Sequence, residues 1–297
     1  MSVDPLILFD QARSAYQAGL CILPVASDRT KRPDVFTWAP YQIDRPTSHQ
    51  MRAFQFEQRH GFGMIAGLVS GRRGAWDFDC ASTHAAFLAA ADASGLGEVV
   101  RRIEAGYCDQ TPGGGRRWIV DFPESVAWRD ETLARRPGAD GEPNIKTLIE
   151  LPTFAILAPS HGLTHPSGRP YIRVSGSFHT IAAVTAEEHA DLITLARTFD
   201  AMPRPQSREA RTTHQSDDRP GDAFNRRASW QEILEPAGWR HVYDRGDVAY
   251  WRRPGKTRGI SATTNLGGRD LLYVFTSSTP FEPEQSISRW RSMKRGC

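Results

Sequence analysis

The sequence predicts an α+β fold, and three observations carry that prediction. Strand-length apolar stretches and helical patterns are mixed without the strict strand–helix–strand rhythm of a doubly wound sheet. Two strand-like stretches are joined by the short turn Ser70-Gly71-Arg72-Arg73, as antiparallel neighbours are. With 297 residues the chain can bury a sizeable core, and one polar segment divides it into a large and a small part.

The elements follow in order. Leu6–Gln17 carries apolar residues at helical spacing and runs into Gly19, a helix stop. Cys21–Val25 reads as a strand, and a polar loop with Lys31 and Pro33 leads to Trp38. His49–His60 reads as a second helix. Gly63–Val69 and Gly74–Asp79 read as adjacent strands, and Thr83–Ala93 as an alanine-rich helix. Arg117–Phe122, Thr147–Leu151, Phe154–Ala158 and Tyr171–Val174 read as strands, and Ala186–Thr198 as a closing helix. Residues 203–222, rich in Pro, Ser, Thr, Asp and Arg, read as a linker between a large domain, 1–202, and a small unit, 223–297. In the small unit Trp230–Leu234 reads as a helix, and His241–Tyr243, Val248–Trp251 and Leu271–Phe275 as strands.

Composition narrows the function classes. No apolar run approaches a membrane span, and Met1–Pro5 does not resemble a signal peptide, so a cytoplasmic protein that avoids membranes is expected. The cysteines (Cys21, Cys80, Cys108 and Cys297) form no Cys-x-x-Cys pair, which argues against thiolate zinc and for reduced thiols. Net charge is only +3, but lysine occurs only at positions 31, 146, 256 and 294, so the positive charge is nearly all arginine. Arginine suits phosphate, and genomic base composition would produce the same bias.

Four stretches could carry chemistry. In Trp76-Asp77-Phe78-Asp79 strand alternation puts both carboxylates on one face and both aromatics on the other, so one face can hold a hard cation while the other packs. In Thr111-Pro112-Gly113-Gly114-Gly115-Arg116-Arg117 the glycines allow close approach to an anion and Arg117 supplies charge; a plain hairpin turn is the other reading. Glu150 lies in the apolar strand Leu148–Leu151, where a carboxylate is paired, metal-bound or at an exposed edge. Ser160 and His161 enter a Gly/Pro loop from a strand end, where they either reach a phosphate or lie in an ordinary surface loop.

In this order the stretches resemble the primase–polymerase domains of the archaeo-eukaryotic primase superfamily, which open many phage and plasmid replication proteins. The likeness covers roughly residues 6–200: Gly19-Leu20 before the first strand, Lys31-Arg32-Pro33, Trp38, Gly67–Gly71, then the acidic pair, the glycine turn, Glu150 and Ala158-Pro159-Ser160. Gly113 stands where the family has serine, and Arg117 where it has histidine. The stretch from Gly246 through Lys256 to Thr263 looks like the segment that follows this domain in replication proteins of actinobacterial phages, corynephages included.

The resemblance implies a primase/RRM-like catalytic core with mixed β-sheets flanked by helices, and primer synthesis and extension on single-stranded DNA from dNTPs or NTPs. Asp77, Asp79 and Glu150 would hold two Mg²⁺ or Mn²⁺ ions. Arg117, with the backbone of Gly114 and Gly115, would clamp the triphosphate; Ser160, His161 and Lys31 are further phosphate contacts, and Trp38 a base-stacking contact. A helicase part commonly follows such domains, so a helicase, fused or separate, is the expected partner in the host-cell cytoplasm. A metal-dependent nuclease and a catalytically silent nucleic-acid-binding replication module are the rival readings.

Overall fold

The computed structural model describes residues 4–203, 220–276, 278–281, 283 and 285–294. The chain divides into two compact units, Met1–Ala89 with Glu98–Ala201, and Ala90–Gly97 with Met202–Cys297. The fold is mixed α+β: the described residues form eight α-helices and three sheets of three, seven and five strands, none closed into a barrel. No helix among them is long and apolar enough to cross a membrane. Of the expected linker, 204–219 lies outside the described residues, as does Cys297.

Helix α1 (Pro5–Gln17) starts at Asp4, whose carboxylate accepts the Leu6 N–H at 2.9 Å, with proline where the first turn tolerates it. Gly19, at φ +99°, turns the chain into β1 (Cys21–Pro24). The helix expected over His49–His60 is cut to α2 (Ser48–Ala53): Gln55 takes φ +50°, and the Phe56 side chain is buried in the core. Strands β2 (Phe62–Ile65) and β3 (Arg73–Phe78) are not neighbours as expected. Gly67, at φ +107°, and a 3₁₀ turn at Leu68–Ser70 redirect the chain, so only the Gly67–Arg73 bridge joins them and they enter different sheets.

The chain continues through α3 (Ala81–Ala93), α4 (Gly97–Gly106), β4 (Tyr107–Gln110), β5 (Arg116–Asp121), β6 (Glu131–Pro137), β7 (Ile145–Leu151), β8 (Phe154–Leu157), β9 (Ile172–Gly176), β10 (Ala182–Ala183) and α5 (Ala186–Arg197), with Ala90–Gly97 counted in the second unit. The small sheet has the order β1-β2-β8 and the large one β6-β7-β3-β5-β4-β9, all antiparallel; β10 adds to β5 in parallel. Alternation along β3 works as the sequence indicates. Trp76 and Phe78 pack with Trp118 and Phe87, on the face where His189 of α5 meets Trp76 edge-on at 6.2 Å. Ala75 joins the opposite cluster with Leu8, Ile22, Phe62 and Leu157, so α1 and the small sheet cover that face.

The turn between β4 and β5 sets the height of the acidic strand end. Gly114 donates its N–H to the Thr111 carbonyl at 2.9 Å, and Thr111 donates its own to Gly115 at 3.2 Å. A Cβ on Gly115 would stand 1.8 Å from the Phe78 carbonyl oxygen, so this glycine lets the turn lie directly on the backbone of β3.

The small unit contains α6 (Pro220–Arg227), α7 (Trp230–Leu234) and a five-stranded antiparallel sheet, β11 (Arg240–Arg245), β12 (Val248–Arg252), β13 (Ala262–Thr264), β14 (Leu272–Val274) and β15 (Ser286–Ile287), followed by α8 (Arg289–Lys294). Its core gathers Trp230, Trp239, Trp251 and Phe281.

Two stability predictions follow from the large unit. Gly115→Ala is expected to lower unfolding free energy by roughly 1–3 kcal/mol, since two backbones must separate. Gly114→Ala, at φ +90° with nothing within 4 Å of its Cβ, carries only the left-handed strain of about 1–2 kcal/mol. Urea unfolding of the two variants checks the order. Burial pushes the His189 imidazole below its ordinary pKa of 6.5, against the pull of Glu131. The folded state therefore resists protonation there, and its stability falls as pH drops below 6.5. His189→Leu should flatten that slope in urea titrations between pH 7 and pH 5.

Candidate active site

Five ionisable residues stand in one row across the large sheet. Glu150 on β7 is the cross-strand partner of Asp77 on β3, and Asp77 is also the partner of Arg117 on β5. Arg117 faces Asp109 on β4, and Asp109 faces Arg173 on β9. Opposed residues in an antiparallel sheet share a face, so the register alone aligns Glu150, Asp77, Arg117, Asp109 and Arg173.

The buried part of this row holds the two sheets together. Strand β8 is the outer strand of the small sheet. Arg117 donates Nη2 to Asp77 and Nη1 to the carbonyl of Ile156 on β8. Asp109, fully buried, accepts the Ala158 N–H at 2.9 Å, the Tyr107 hydroxyl at 2.8 Å and Arg173 Nε at 2.8 Å. Arg173 also donates to the Ala158 carbonyl at 2.9 Å. Backbone groups that no strand pairs are thus satisfied by charged side chains from the neighbouring sheet.

Charges tune one another along the row. Burial works against the Arg117 guanidinium, but Asp77, Tyr171 and Asp109 together more than offset it, and its pKa is raised. Burial raises the Glu150 carboxyl, the Asp77 charge raises it further, and Arg117 opposes both. Tyr171, whose ring centroid lies 5.5 Å from Arg117, is pushed up to about 12 by burial.

The acidic end of the row opens into a cleft of about 450 Å³. Asp77, Asp79, Glu150, Arg117, Lys31 and Lys146 line it. Asp79 lies one residue past β3, held by its N–H on the Leu148 carbonyl at 3.0 Å, and its carboxylate pairs with Lys146 Nζ at 2.6 Å. Arg136 and Glu142 form a two-pronged pair on the same wall, and Arg136 holds the Glu142 carboxyl down at about 2.

The other sequence candidates divide. Gly113 lines the cleft, whereas the Gly114 N–H is spent on its own turn and Gly115 packs on β3. Ser160 is fully buried and structural: its hydroxyl donates to the Leu157 carbonyl at 2.6 Å and accepts the Phe62 N–H at 3.2 Å. His161 caps a 3₁₀ turn through Nδ1, which accepts the Leu163 N–H at 3.1 Å, and it is not on the cleft wall. His165 is, four residues further along the same loop. Its Nδ1 accepts the Ser167 N–H at 3.1 Å, so the neutral ring carries its proton on Nε2. Burial and then Lys31 lower its pKa, favouring that neutral form. Nothing in the sequence singles out His165 over His161. Trp38 is not a surface platform: its ring meets Phe154 at 6.1 Å and packs on the cluster of Cys21, Leu23 and Ile65.

Among the described residues no group of three or more His, Cys, Asp or Glu side chains is placed to hold a metal ion. Asp77 is turned to Arg117 and Asp79 to Lys146. A preformed three-carboxylate cage is therefore absent from those residues. The donor set nevertheless fits Mg²⁺ or Mn²⁺, because such ions are held by one or two carboxylates together with water and substrate phosphates, and Asp77 and Glu150 form such an oxygen pair on one wall.

No protein-family model matches the chain, and no curated protein matches it.

Arg117→Met is expected to cost about 3–5 kcal/mol, because Asp77, Asp109 and the Ile156 carbonyl would lose a buried cation. Arg117→Lys, which keeps the charge without the fork, should recover part of that loss. Chemical unfolding midpoints of the two variants measure both effects.

Proposed function

We propose that the chain is a nucleotidyltransferase of the primase–polymerase type, which makes and extends primers on single-stranded DNA from dNTPs or NTPs in phage or plasmid replication. The observation that carries this reading is the direct cross-strand placement of Glu150 beside Asp77, with Asp79 lining the same cleft as Arg117 and Lys31. Acidic oxygens beside fixed cations suit a nucleoside triphosphate, and the motif order in the sequence supports the same reading. A central antiparallel sheet with acids on adjacent strands is compatible with the primase/RRM-like core that the resemblance implies.

Asp77 and Glu150, with Asp79 as the third carboxylate, would hold Mg²⁺ or Mn²⁺, which when bound supplies Lewis acidity for the attacking hydroxyl and the leaving pyrophosphate. Arg117 has a different role from a mobile clamp. Its guanidinium is committed to Asp77 and Ile156, so it fixes the Asp77 carboxylate and leaves a permanent positive field behind it. Triphosphate oxygens would meet Lys31, Lys146 and the Nε2–H of His165, all on the cleft wall. Ser160 and His161 hold the wall from behind.

One observation favours the silent nucleic-acid-binding reading: both aspartates are already neutralised by resident cations. A primer-extension assay separates the readings. Purified protein, a primed single-stranded template, labelled dNTPs and Mn²⁺ should yield extended product, abolished by EDTA. Asp77→Asn and Glu150→Gln should each reduce it ~100-fold or more. Template degradation without dNTPs would identify a nuclease, and metal-indifferent binding without product the silent module. Full activity in both variants would remove the site assignment.

A further inference from the structure

The loop that carries Lys31 into the cleft continues to Phe36, whose side chain is fully exposed at 106%. One exposed aromatic is ordinary by itself. Phe36, however, forms one wall of a second, largely aromatic pocket of about 370 Å³, with Tyr41, Phe54, Pro40 and Gln50 among its other walls and the Arg59-paired Asp34 at its edge. Tyr41 and Phe54 meet edge to face at 6.0 Å, which fixes the pocket's back. Gln50 is oriented as well: its Oε1 accepts the Thr47 N–H at 2.8 Å, so its amide nitrogen remains to donate to an acceptor. The volume lies in the range of small-ligand sites.

Charge identifies the occupant. Both acids of the loop are neutralised, Asp28 by Arg32 at 2.9 Å and Asp34 by Arg59. Arg29 and Lys31 make no ion pair among the described residues, and both stand at positive φ, 65° each. An aromatic slot on the same loop as these two cations suits a strand that offers a base to one and phosphates to the other. Lys31 and Phe36 are five positions apart, at most about 18 Å of chain. The slot and the cleft can therefore serve one strand.

We infer that this pocket takes an unstacked base of the single-stranded template, stacked on Phe36, while Arg29, further along the same loop, contacts a phosphate of that strand. The inference rests on the template-directed reading of the cleft, and it gives the stacking role expected of Trp38 to Phe36.

The test is fluorescence anisotropy with a labelled single-stranded oligonucleotide in EDTA, so that neither metal nor dNTP enters. Phe36→Ala should weaken binding roughly tenfold or more, the loss that removing one base–aromatic stack produces, and Phe36→Trp should preserve it. The thermal midpoint of both variants should match wild type, because the ring packs on no core cluster. On an abasic strand of equal length wild type and Phe36→Ala should bind alike. Arg29→Ala should shallow the dependence of log affinity on log salt by ~0.7, one phosphate's worth on a single strand. Equal binding of wild type and Phe36→Ala to the base-containing strand overturns the inference and leaves the cleft reading intact. Absence of any binding by wild type at low salt overturns both.

Discussion

The pairing of Arg117 with Asp77 and with the Ile156 carbonyl is the constraint from which the large unit takes its shape. An outer strand laid against another sheet buries backbone groups that no ladder bond can reach, and each would destabilise the fold if left alone. Here Arg117, Asp109 and Arg173 meet the exposed side of β8 and the residue after it. Two sheets that share no strand are thereby fixed in position by polar contacts beside the apolar cluster of Ile22, Phe62, Leu157, Ala75 and Ile119 that they share. The same guanidinium ends the buried row and begins the cleft, so fold and site share one side chain.

This sharing explains the unequal roles of the three acids. Asp77 is anchored and directional. Glu150, next to it, has no such anchor and is held partly desolvated against a like charge. Asp79 stands beyond the strand and answers to Lys146 at the half-exposed rim. Three neighbouring carboxylates thus have three environments: one fixed by a buried guanidinium, one partly desolvated, and one paired at the rim.

Much of this was legible in the residues. The period-two alternation of Trp76 to Asp79 gave both faces of β3 correctly, because it depends on local geometry alone. Glu150 was visible as a carboxylate in an apolar strand. Asp109 and Arg173 were not, since Tyr107-Cys108-Asp109-Gln110 is half polar and reads as a loop until neighbouring strands bury it. Their alignment is a property of register among five strands, which no short window contains. Polar β6 was missed for the same reason. Ser160 was overread: a hydroxyl at a strand end resembles a phosphate contact, whereas burial turned it into a fastening for the Phe62 N–H. His161 and His165 flank one 3₁₀ turn, and only the second of them reaches the cleft wall, a difference of loop path that spacing does not reveal.

Arginine at position 117 limits which single substitutions the site tolerates. A histidine there could not span from the Asp77 carboxylate to the Ile156 carbonyl with two separate donors in a fork, nor keep its charge at neutral pH. Exchanging one for the other would leave the Ile156 carbonyl without its donor and disturb Asp77, Tyr171 and Asp109, whose surroundings are built around a permanent cation. The cation is therefore a fixed part of fold and cleft together, and substitution is easier at the cleft rim, where Lys146 and Arg136 stand half-exposed, than at its base.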